Sequence, residues 1–177
     1  MDPLILGNAV SLAGSVVMVL SGLVKSKKGI LLSQCLMFVL LAGGNLILGG
    51  VSGAIVDGVS IVRNILSFFI PFTALWKAGF ICLFFLLCLM PRLLGWTDSL
   101  SVLDFMPAMG CTFFTLVMDA KDGRALKAAC ILGQLMWCFY DFSIRNYTAL
   151  AFDVMTILSN VIGILMLRRD AQKQTGG

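Results

Sequence analysis

The octapeptide Asp57–Asn64 (DGVSIVRN) recurs 96 residues further along the chain as Asp153–Asn160 (DVMTILSN). Asp, Ser or Thr, Ile and Asn fall in register in the two copies. On a helix the Asp, Ser/Thr and Asn positions are i, i+3 and i+7, so they share one face. Both copies stand in strongly apolar segments, where polar side chains usually point into a helix bundle or a water-filled cavity. The octapeptide therefore predicts a duplicated membrane bundle with a polar interior.

Composition indicates the same class of protein. The 177 residues are 59% hydrophobic and only 12% charged, with a mean hydropathy of +1.00, which is typical of a polytopic membrane protein. All nine acidic residues are aspartates and there is no histidine, which excludes His-based catalytic triads and His-ligated metal sites. The six cysteines lie in apolar stretches without a CxxC pair, so we interpret them as buried small hydrophobes. The sequence predicts no cofactor and no metal.

Seven apolar segments approach the length of about 20 residues that crosses about 30 Å of hydrocarbon. They are 4–24, 30–48, 53–70, 76–94, 99–118, 126–144 and 148–167. The offset of 96 continues outside the octapeptide, since Gly14 matches Gly110 and Lys25 matches Lys121. Because a three-span unit reverses sidedness, one extra helix gives two such units the same orientation. We predict an all-α protein with parallel three-helix repeats at 1–71 and 98–168, a linker helix at 72–97 and a cytoplasmic tail at 169–177.

The distribution of basic residues predicts the orientation. With the N-terminus outside, the cytoplasmic ends carry Lys25, Lys27, Lys28, Lys77, Lys121, Arg124, Lys127, Arg168, Arg169 and Lys173. The outer ends then carry only Arg92 and Arg145. Because Lys and Arg concentrate on the cytoplasmic side, we expect the N-terminus outside and the C-terminus in the cytoplasm.

Polar residues inside the predicted spans fall at two depths. Six of them lie about 6 Å inside the outer boundary, at 1.5 Å per helical residue: Asn8, Asn45, Asp57, Asp104, Asp141 and Asp153. Asn64 and Asn160 lie roughly 17 Å inside, near the bilayer midplane. We interpret the set as an outward-facing polar vestibule with the two asparagines as its floor. The alternative is that these side chains only hydrogen-bond neighbouring helices.

The predicted substrate-binding residues are Asn64, Asn160, Asp57, Asp153, Ser60, Thr156, Trp137 and Arg63. Carboxamides offer donors and an acceptor without charge, which suits hydroxyl-rich or amide-rich solutes. Trp137 is a candidate for stacking on a ring, with core packing as the alternative. Arg63 is the single basic residue that lies within a predicted span without being assigned to either membrane face. It either snorkels to the cytoplasmic side, pairs with Asp104 or Asp141, or binds an anionic group of a substrate.

The stretch from Lys25 to Leu66, KSKKGILLSQCLMFVLLAGGNLILGGVSGAIVDGVSIVRNIL, resembles the YgjV family of bacterial inner-membrane proteins. The pattern is a basic turn, a Gln-containing helix, a Gly-rich turn and a helix ending in Arg-Asn, with Trp-x-x-Tyr-Asp at Trp137–Asp141 in the second half. The resemblance implies a bacterial inner-membrane location. It also implies a distant relation to SWEET and SemiSWEET sugar facilitators and PnuC vitamin transporters, which share a three-plus-one-plus-three helix plan.

In SWEET-like proteins a membrane-centre asparagine on the third helix of each repeat contacts the substrate, and Asn64 and Asn160 match by repeat position. Those proteins also usually carry prolines in the first helix of each repeat. Here Pro107 stands in the fifth segment but Ser11 in the first, so the sequence departs from that gating pattern.

These observations favour a transporter or facilitator of a small polar metabolite, sugar-like or vitamin-like, working by alternating access between the repeats. The alternative is a non-transporting receptor, scaffold or assembly protein with a structural polar core. No nucleophile and base pair stands out, so we expect no enzyme activity. The expected partners are the lipid bilayer and a small polar solute but no nucleic acid, because topology explains the basic loops. The sequence leaves the oligomeric state open.

Overall fold

The computed structural model describes residues 2–95 and 101–175, and these residues form seven α-helices and one short 3-10 helix, without a β-strand. The helices are α1 (Pro3–Ser21), α2 (Lys27–Ile47), α3 (Val51–Phe69), α4 (Ala74–Leu93), α5 (Met106–Leu116), α6 (Gly123–Ser143) and α7 (Tyr147–Thr175). The predicted all-α class is confirmed for the described residues, and each of the seven predicted apolar segments overlaps one α-helix. The predicted boundary between residues 97 and 98 lies outside the described residues.

Local sequence explains where several helices begin. Ser26 caps α2 by accepting a hydrogen bond from the amide of Gly29, and Asp122 caps α6 by accepting one from the amide of Arg124. After α2 the chain turns at Gly49, whose φ of +79° is favourable for glycine. The short connections that result keep consecutive helices adjacent.

The fifth segment differs from the prediction. In its described part, residues 101–118, a 3-10 helix (Val102–Phe105) leads into α5, which has only 11 residues. Pro107 explains the start of α5, because proline has no amide hydrogen and is tolerated in the first turn. Asp104 forms a capping box with Ser101 in the 3-10 helix. Asp104 therefore lies in the 3-10 helix that precedes α5, and its predicted place in an outward-facing vestibule remains a prediction.

Six helices close into a ring through the contacts α1–α2, α2–α3, α3–α5, α5–α6, α6–α7 and α7–α1, while α4 packs against α3 and α5. Helices α1 and α7 run in the same direction, because Asn8 meets Thr148 near their starts and Gly22 meets Ser159 near the end of α1. The largest apolar cluster includes Val56, Phe80 and Phe84, where α3 and α4 meet. The ring encloses the polar faces of its helices.

An ion pair holds the start of α4 to the turn after α5. Lys77 Nζ donates to the carbonyl of Leu116 and lies 2.5 Å from Asp119 Oδ1. The hydrogen bond from Lys77 lowers the pKa of Asp119 below its usual value. Asp119 is an exposed loop residue, so this contact adds a modest, salt-sensitive link.

Five helices are long and apolar enough to cross a membrane: α1, α2, α3, α4 and α7 over residues 147–169. Helix α6 has 21 residues but is not among them, and the 3-10 helix with α5 covers only 102–116. Large apolar side chains face outward, such as Phe69 and Leu75, which are 80% and 82% exposed. This outward apolar surface suits lipid. Helix α7 continues to Thr175, through most of the segment that the sequence predicts to be a tail.

Candidate functional site

Three carboxyl groups from three helices meet inside the ring. Asp57 of α3, Asp141 of α6 and Asp153 of α7 are 0%, 3% and 1% exposed, and they line one cavity together with Asn45 and Gln134. The cavity measures about 30 Å³. Since a water molecule needs about 10–15 Å³, the cavity has room for water and none for a metabolite. We call these five residues the carboxyl cluster.

The carboxyl cluster contains two helix–helix contacts at the same repeat positions. Asn45 Nδ2 donates a hydrogen bond of 3.1 Å to Asp57 Oδ2, joining α2 to α3. Ninety-six residues later in both partners, the carboxyl groups of Asp141 in α6 and Asp153 in α7 line the same cavity and interact with each other. The first contact pairs an amide with a carboxylate, whereas the second pairs two carboxyl groups.

One oxygen of each carboxyl group in the carboxyl cluster has no hydrogen-bond partner: Asp57 Oδ1, Asp141 Oδ1 and Asp153 Oδ2. The other oxygen of Asp153 accepts a hydrogen bond from Gln134 Nε2. Buried polar atoms without a partner are uncommon, because each loses its hydration without compensation. These unpartnered oxygens line a cavity, which makes them available to a ligand.

Arg63, the buried basic residue of α3, is bonded outside the carboxyl cluster. Its guanidinium donates to Asn64 Oδ1, to the carbonyl of Cys111 and to Thr115 Oγ1, at 2.8–3.1 Å. It also lies over the rings of Phe84 and Phe114, with 5.6 and 5.1 Å to their centroids. In the part of the chain that the structure describes, no carboxylate lies within ion-pair distance of it.

Two of the predicted fates of Arg63 are therefore wrong. It does not pair with Asp104 or Asp141, and it does not snorkel to the cytoplasmic side, because the side chain is 0% exposed. A fixed guanidinium can bond several carbonyl and hydroxyl oxygens at once, so the α3–α5 interface satisfies it without an acid. Its predicted binding of an anionic substrate group remains a prediction.

A second cavity adjoins the carboxyl cluster. It is lined by Arg63, Gln34 and residues of α5 and α6, and it shares Met37, Phe38, Gln134 and Trp137 with the first cavity. Trp137 contacts Tyr140 edge-on, with 5.6 Å between ring centroids. Carboxyl groups thus line one end of the combined space and a guanidinium lines the other.

The remaining predicted binding residues lie in helix interfaces. Asn64 donates to Gln34 Oε1 at 3.3 Å, Asn160 donates to the carbonyl of Thr156, and Ser60 Oγ contacts Cys111 Sγ at 3.3 Å. Thr156 Oγ1 is buried and has no partner. Asn64, Asn160, Ser60 and Thr156 line neither of these two cavities. Their contact with a substrate remains a prediction.

The predicted vestibule divides into two groups. Asn45, Asp57, Asp141 and Asp153 belong to the carboxyl cluster. Asn8 and Asp104 lie instead where helices begin: Asn8 Oδ1 accepts from the amide of Thr148 at 3.3 Å, and Asp104 Oδ1 contacts Ser52 Oγ at 3.5 Å. These two contacts also occupy matching repeat positions, since Ser52 corresponds to Thr148 and Asp104 to Asn8.

Sequence reasoning missed several polar residues of the interior. Gln34 and Gln134 were visible as carboxamides within apolar segments, but their counterparts at an offset of 96 are Cys130 and Phe38, so comparison of the repeats passed over them. Gln34 Nε2 contacts Cys130 Sγ at 3.4 Å, so Gln34 meets the residue that corresponds to it in the second repeat. The sequence also gives no sign that Lys127, predicted at a cytoplasmic end, is buried and that its Nζ donates to the carbonyl of Gly22.

Comparison with protein families finds one that spans nearly the whole chain. The family model Imp-YgjV, described as a bacterial inner membrane protein, matches residues 5–171. Comparison with curated proteins and with solved structures finds no match. The predicted resemblance to the YgjV family is confirmed, and these comparisons give no support for a relation to SWEET, SemiSWEET or PnuC proteins.

Proposed function

The chain belongs to the Imp-YgjV family of bacterial inner membrane proteins, and we propose that it carries a small polar solute across that membrane. The observation that carries the proposal is the carboxyl cluster, in which three buried carboxyl groups each leave one oxygen unpartnered at an internal cavity. Ionisable groups inside a membrane bundle are costly to bury and usually mark the pathway of a substrate or ion.

The polarity of the cavity supports a solute with hydrogen-bond donors. Asp57, Asp141 and Asp153 supply acceptor oxygens, while Asn45 and Gln134 supply both donors and acceptors. Hydroxyl-bearing or amine-bearing metabolites, including sugar-like and vitamin-like ones, fit this chemistry. Trp137 borders both cavities and offers a ring face or edge for a solute that leaves the carboxyl cluster.

We propose alternating access between two repeats, 1–71 and 98–168, joined by the linker helix α4. Support comes from contacts that recur at an offset of 96: Asn45–Asp57 with Asp141–Asp153, and Ser52–Asp104 with Asn8–Thr148. Gln34 and Cys130, which are counterparts of each other, meet between α2 and α6. Two similar units around one polar centre are suited to rocking against each other.

The small volume of the cavity bears on the state of the carrier. At about 30 Å³ the cavity holds no metabolite, so this conformation is the closed one in the proposed cycle. The same observation favours the competing function, a receptor or scaffold whose carboxyl cluster only holds helices together. The two functions differ in whether the cavity widens and passes a solute.

We propose that the N-terminus lies outside and the C-terminus in the cytoplasm. Lys and Arg concentrate at the ends of the helices that this orientation places inside, while Arg92 and Arg145 fall outside. In this orientation the carboxyl cluster opens first toward the outer face, because Asp57 and Asp153 are the seventh residues of α3 and α7.

Uptake by proteoliposomes tests the proposal. Purified protein would be offered a pooled panel of sugars, amino acids, nucleosides and vitamins, with and without a pH gradient, and trapped solutes would be read by mass spectrometry. We expect selective uptake by wild type, loss of uptake in Asp57→Ala, and wild-type uptake in the exposed loop variant Asp119→Ala. If folded wild type accumulates nothing from the panel under either condition, the receptor or scaffold function replaces the carrier.

A further inference from the structure

The two repeat-related contacts of the carboxyl cluster differ in one property, the source of the hydrogen. In the first contact, the amide of Asn45 supplies an N–H to Asp57. In the second, Asp141 stands at the position of Asn45 and contacts Asp153. Two carboxylates have no hydrogen to share, because ionised carboxylates are acceptors only. Two carboxyl groups buried at one small cavity are therefore stabilised when one of the two carries a proton.

The surroundings of Asp141 and Asp153 leave few other ways to offset two negative charges. Both side chains are at least 97% buried, and the two buried cationic side chains of the described residues are engaged elsewhere: Arg63 with Asn64, Cys111 and Thr115, and Lys127 with Gly22. Gln134 donates a hydrogen bond to Asp153 but carries no charge. Like charges at contact in such a site are relieved when one carboxyl group binds a proton.

The titratable and charged groups that face the pair are few among the described residues. Helix α1 contributes no titratable side chain to the lining of the cavity, α2 contributes the neutral Asn45, and α3 contributes Asp57. Helix α6 itself brings Cys138 and Tyr140, which interact electrostatically with the pair. The nearest titratable group of α5, Cys111, is bonded to Ser60 and does not line the cavity. Asp57 is the one other carboxyl group of the cavity.

We propose that Asp141 and Asp153 form a proton-binding site that exchanges one proton with water on each side of the membrane as the carrier changes conformation. When the site binds a proton, a carboxylate oxygen forms an O–H bond with a proton from water, and the charge of the pair changes from two negative charges to one. On release, that bond breaks and the proton returns to water on the other side. The contact between Asn45 and Asp57 needs no such proton, because the amide of Asn45 already supplies its hydrogen.

The cavity gives the proton a route to the pair. Asp141 Oδ1 and Asp153 Oδ2 have no hydrogen-bond partner, and both residues line the cavity, which has room for water. A carboxyl oxygen that faces such a space can exchange a proton with water there. The coupling of this proton to a solute rests on the proposed transport function, whereas the binding of the proton does not.

Infrared spectroscopy of the purified protein tests proton binding without any knowledge of the solute. A protonated carboxylic acid has a C=O stretching band above the amide I band, which shifts when H2O is replaced by D2O. We expect this band in wild type, its loss in Asp141→Asn, and a second such band in Asn45→Asp, which recreates a carboxyl pair in the first repeat. Asp141→Asn is the matched variant because it rebuilds the Asn45–Asp57 chemistry at the second site.

The proposal is overturned if folded Asp141→Asn keeps the wild-type band, since the proton then lies elsewhere, or if folded wild type has no band at any pH. If Asp141→Asn does not fold, Asp153→Asn serves the same purpose, because it also places an amide in the pair. Uptake by proteoliposomes separates the two proposals. If the infrared band is present but no solute is taken up, the proton-binding site stands and the transport function is wrong. If solute uptake does not respond to a pH gradient and persists in Asp141→Asn, the coupling of the proton to transport is wrong.

Discussion

The hydroxyl of Tyr140 in α6 accepts a 2.9 Å hydrogen bond from the backbone amide of Gly53 in the first turn of α3. Helix α3 has no side-chain cap of its own, so Tyr140 satisfies one of the amides that a helix start leaves free. Ser52 Oγ also donates to this hydroxyl, at 3.2 Å. Tyr140 therefore connects the second half of the chain to the start of the helix that carries Asp57.

Tyr140→Phe is expected to lower the free energy of unfolding by about 1 kcal/mol, because the Gly53 amide loses a buried acceptor. Thermal unfolding in detergent, followed by circular dichroism, measures the effect. Tyr147→Phe is the matched control, since Tyr147 is 56% exposed at the start of α7. If both variants melt like wild type, the Tyr140 hydroxyl does not stabilise α3.

Asp119→Asn is expected to destabilise the protein slightly near pH 7, by less than about 1 kcal/mol, because the pair with Lys77 is solvent-exposed. The hydrogen bond from Lys77 lowers the pKa of Asp119 in the folded protein. Because the pKa of Asp119 is lower in the folded than in the unfolded protein, its carboxylate stabilises the fold at pH values above the unfolded-state pKa. This stabilisation is lost as the pH falls through the folded-state pKa. The melting temperatures of wild type and variant should therefore converge below about pH 4.

High salt provides a second check on Asp119. Screening weakens an exposed ion pair, so the difference between wild type and Asp119→Asn should also shrink at about 1 M salt. A difference that persists at low pH and at high salt would show that Asp119 acts through its shape or backbone contacts and not through its charge.

Gly133→Ala is expected to destabilise the α5–α6 interface by about 2 kcal/mol. A Cβ at Gly133 would lie 2.8 Å from the carbonyl oxygen of Gly110, a backbone atom that cannot rotate away. Small residues at such positions let membrane helices approach closely. The matched control is Gly79→Ala in α4, where nothing lies within 4 Å of the added atom and the melting temperature should not fall. Equal melting temperatures for Gly133→Ala and wild type would contradict the close α5–α6 contact.

Much of the fold could be predicted from the sequence because lipid imposes a simple rule. A helix that faces hydrocarbon must be apolar over about 20 residues, so the helices could be placed from hydropathy alone. The fifth segment was less predictable, since apolar composition does not reveal that Pro107 starts α5 late and that Ser101 and Asp104 cap a 3-10 helix. Local capping chemistry decided that boundary.

The site was predicted only in part, because depth in a helix does not fix which side chains meet. The sequence grouped six side chains at one depth, and the structure brings four of them to one cavity: Asn45, Asp57, Asp141 and Asp153. The same reasoning placed Asn64 with Asn160, whereas Asn64 bonds Gln34 and Asn160 bonds its own helix. Which side chains meet depends on how each helix is rotated about its own axis, and the packing of the helices determines that rotation.

Arg63→Lys is expected to destabilise the protein by about 2 kcal/mol although it keeps the positive charge. The planar guanidinium bonds Asn64, Cys111 and Thr115 and lies between two phenyl rings, and a lysine ammonium cannot reproduce that geometry. The buried carbonyl and carboxamide oxygens would then lose partners, which is the main source of the cost. Thermal unfolding measures the change, with Arg145→Lys in an exposed turn as the control. No acid neutralises Arg63 in the described structure, so we expect the hydrogen-bonding geometry of its guanidinium, and not its charge, to hold the side chain in place. If Arg63→Lys melts like wild type, a positive charge alone is sufficient at this position.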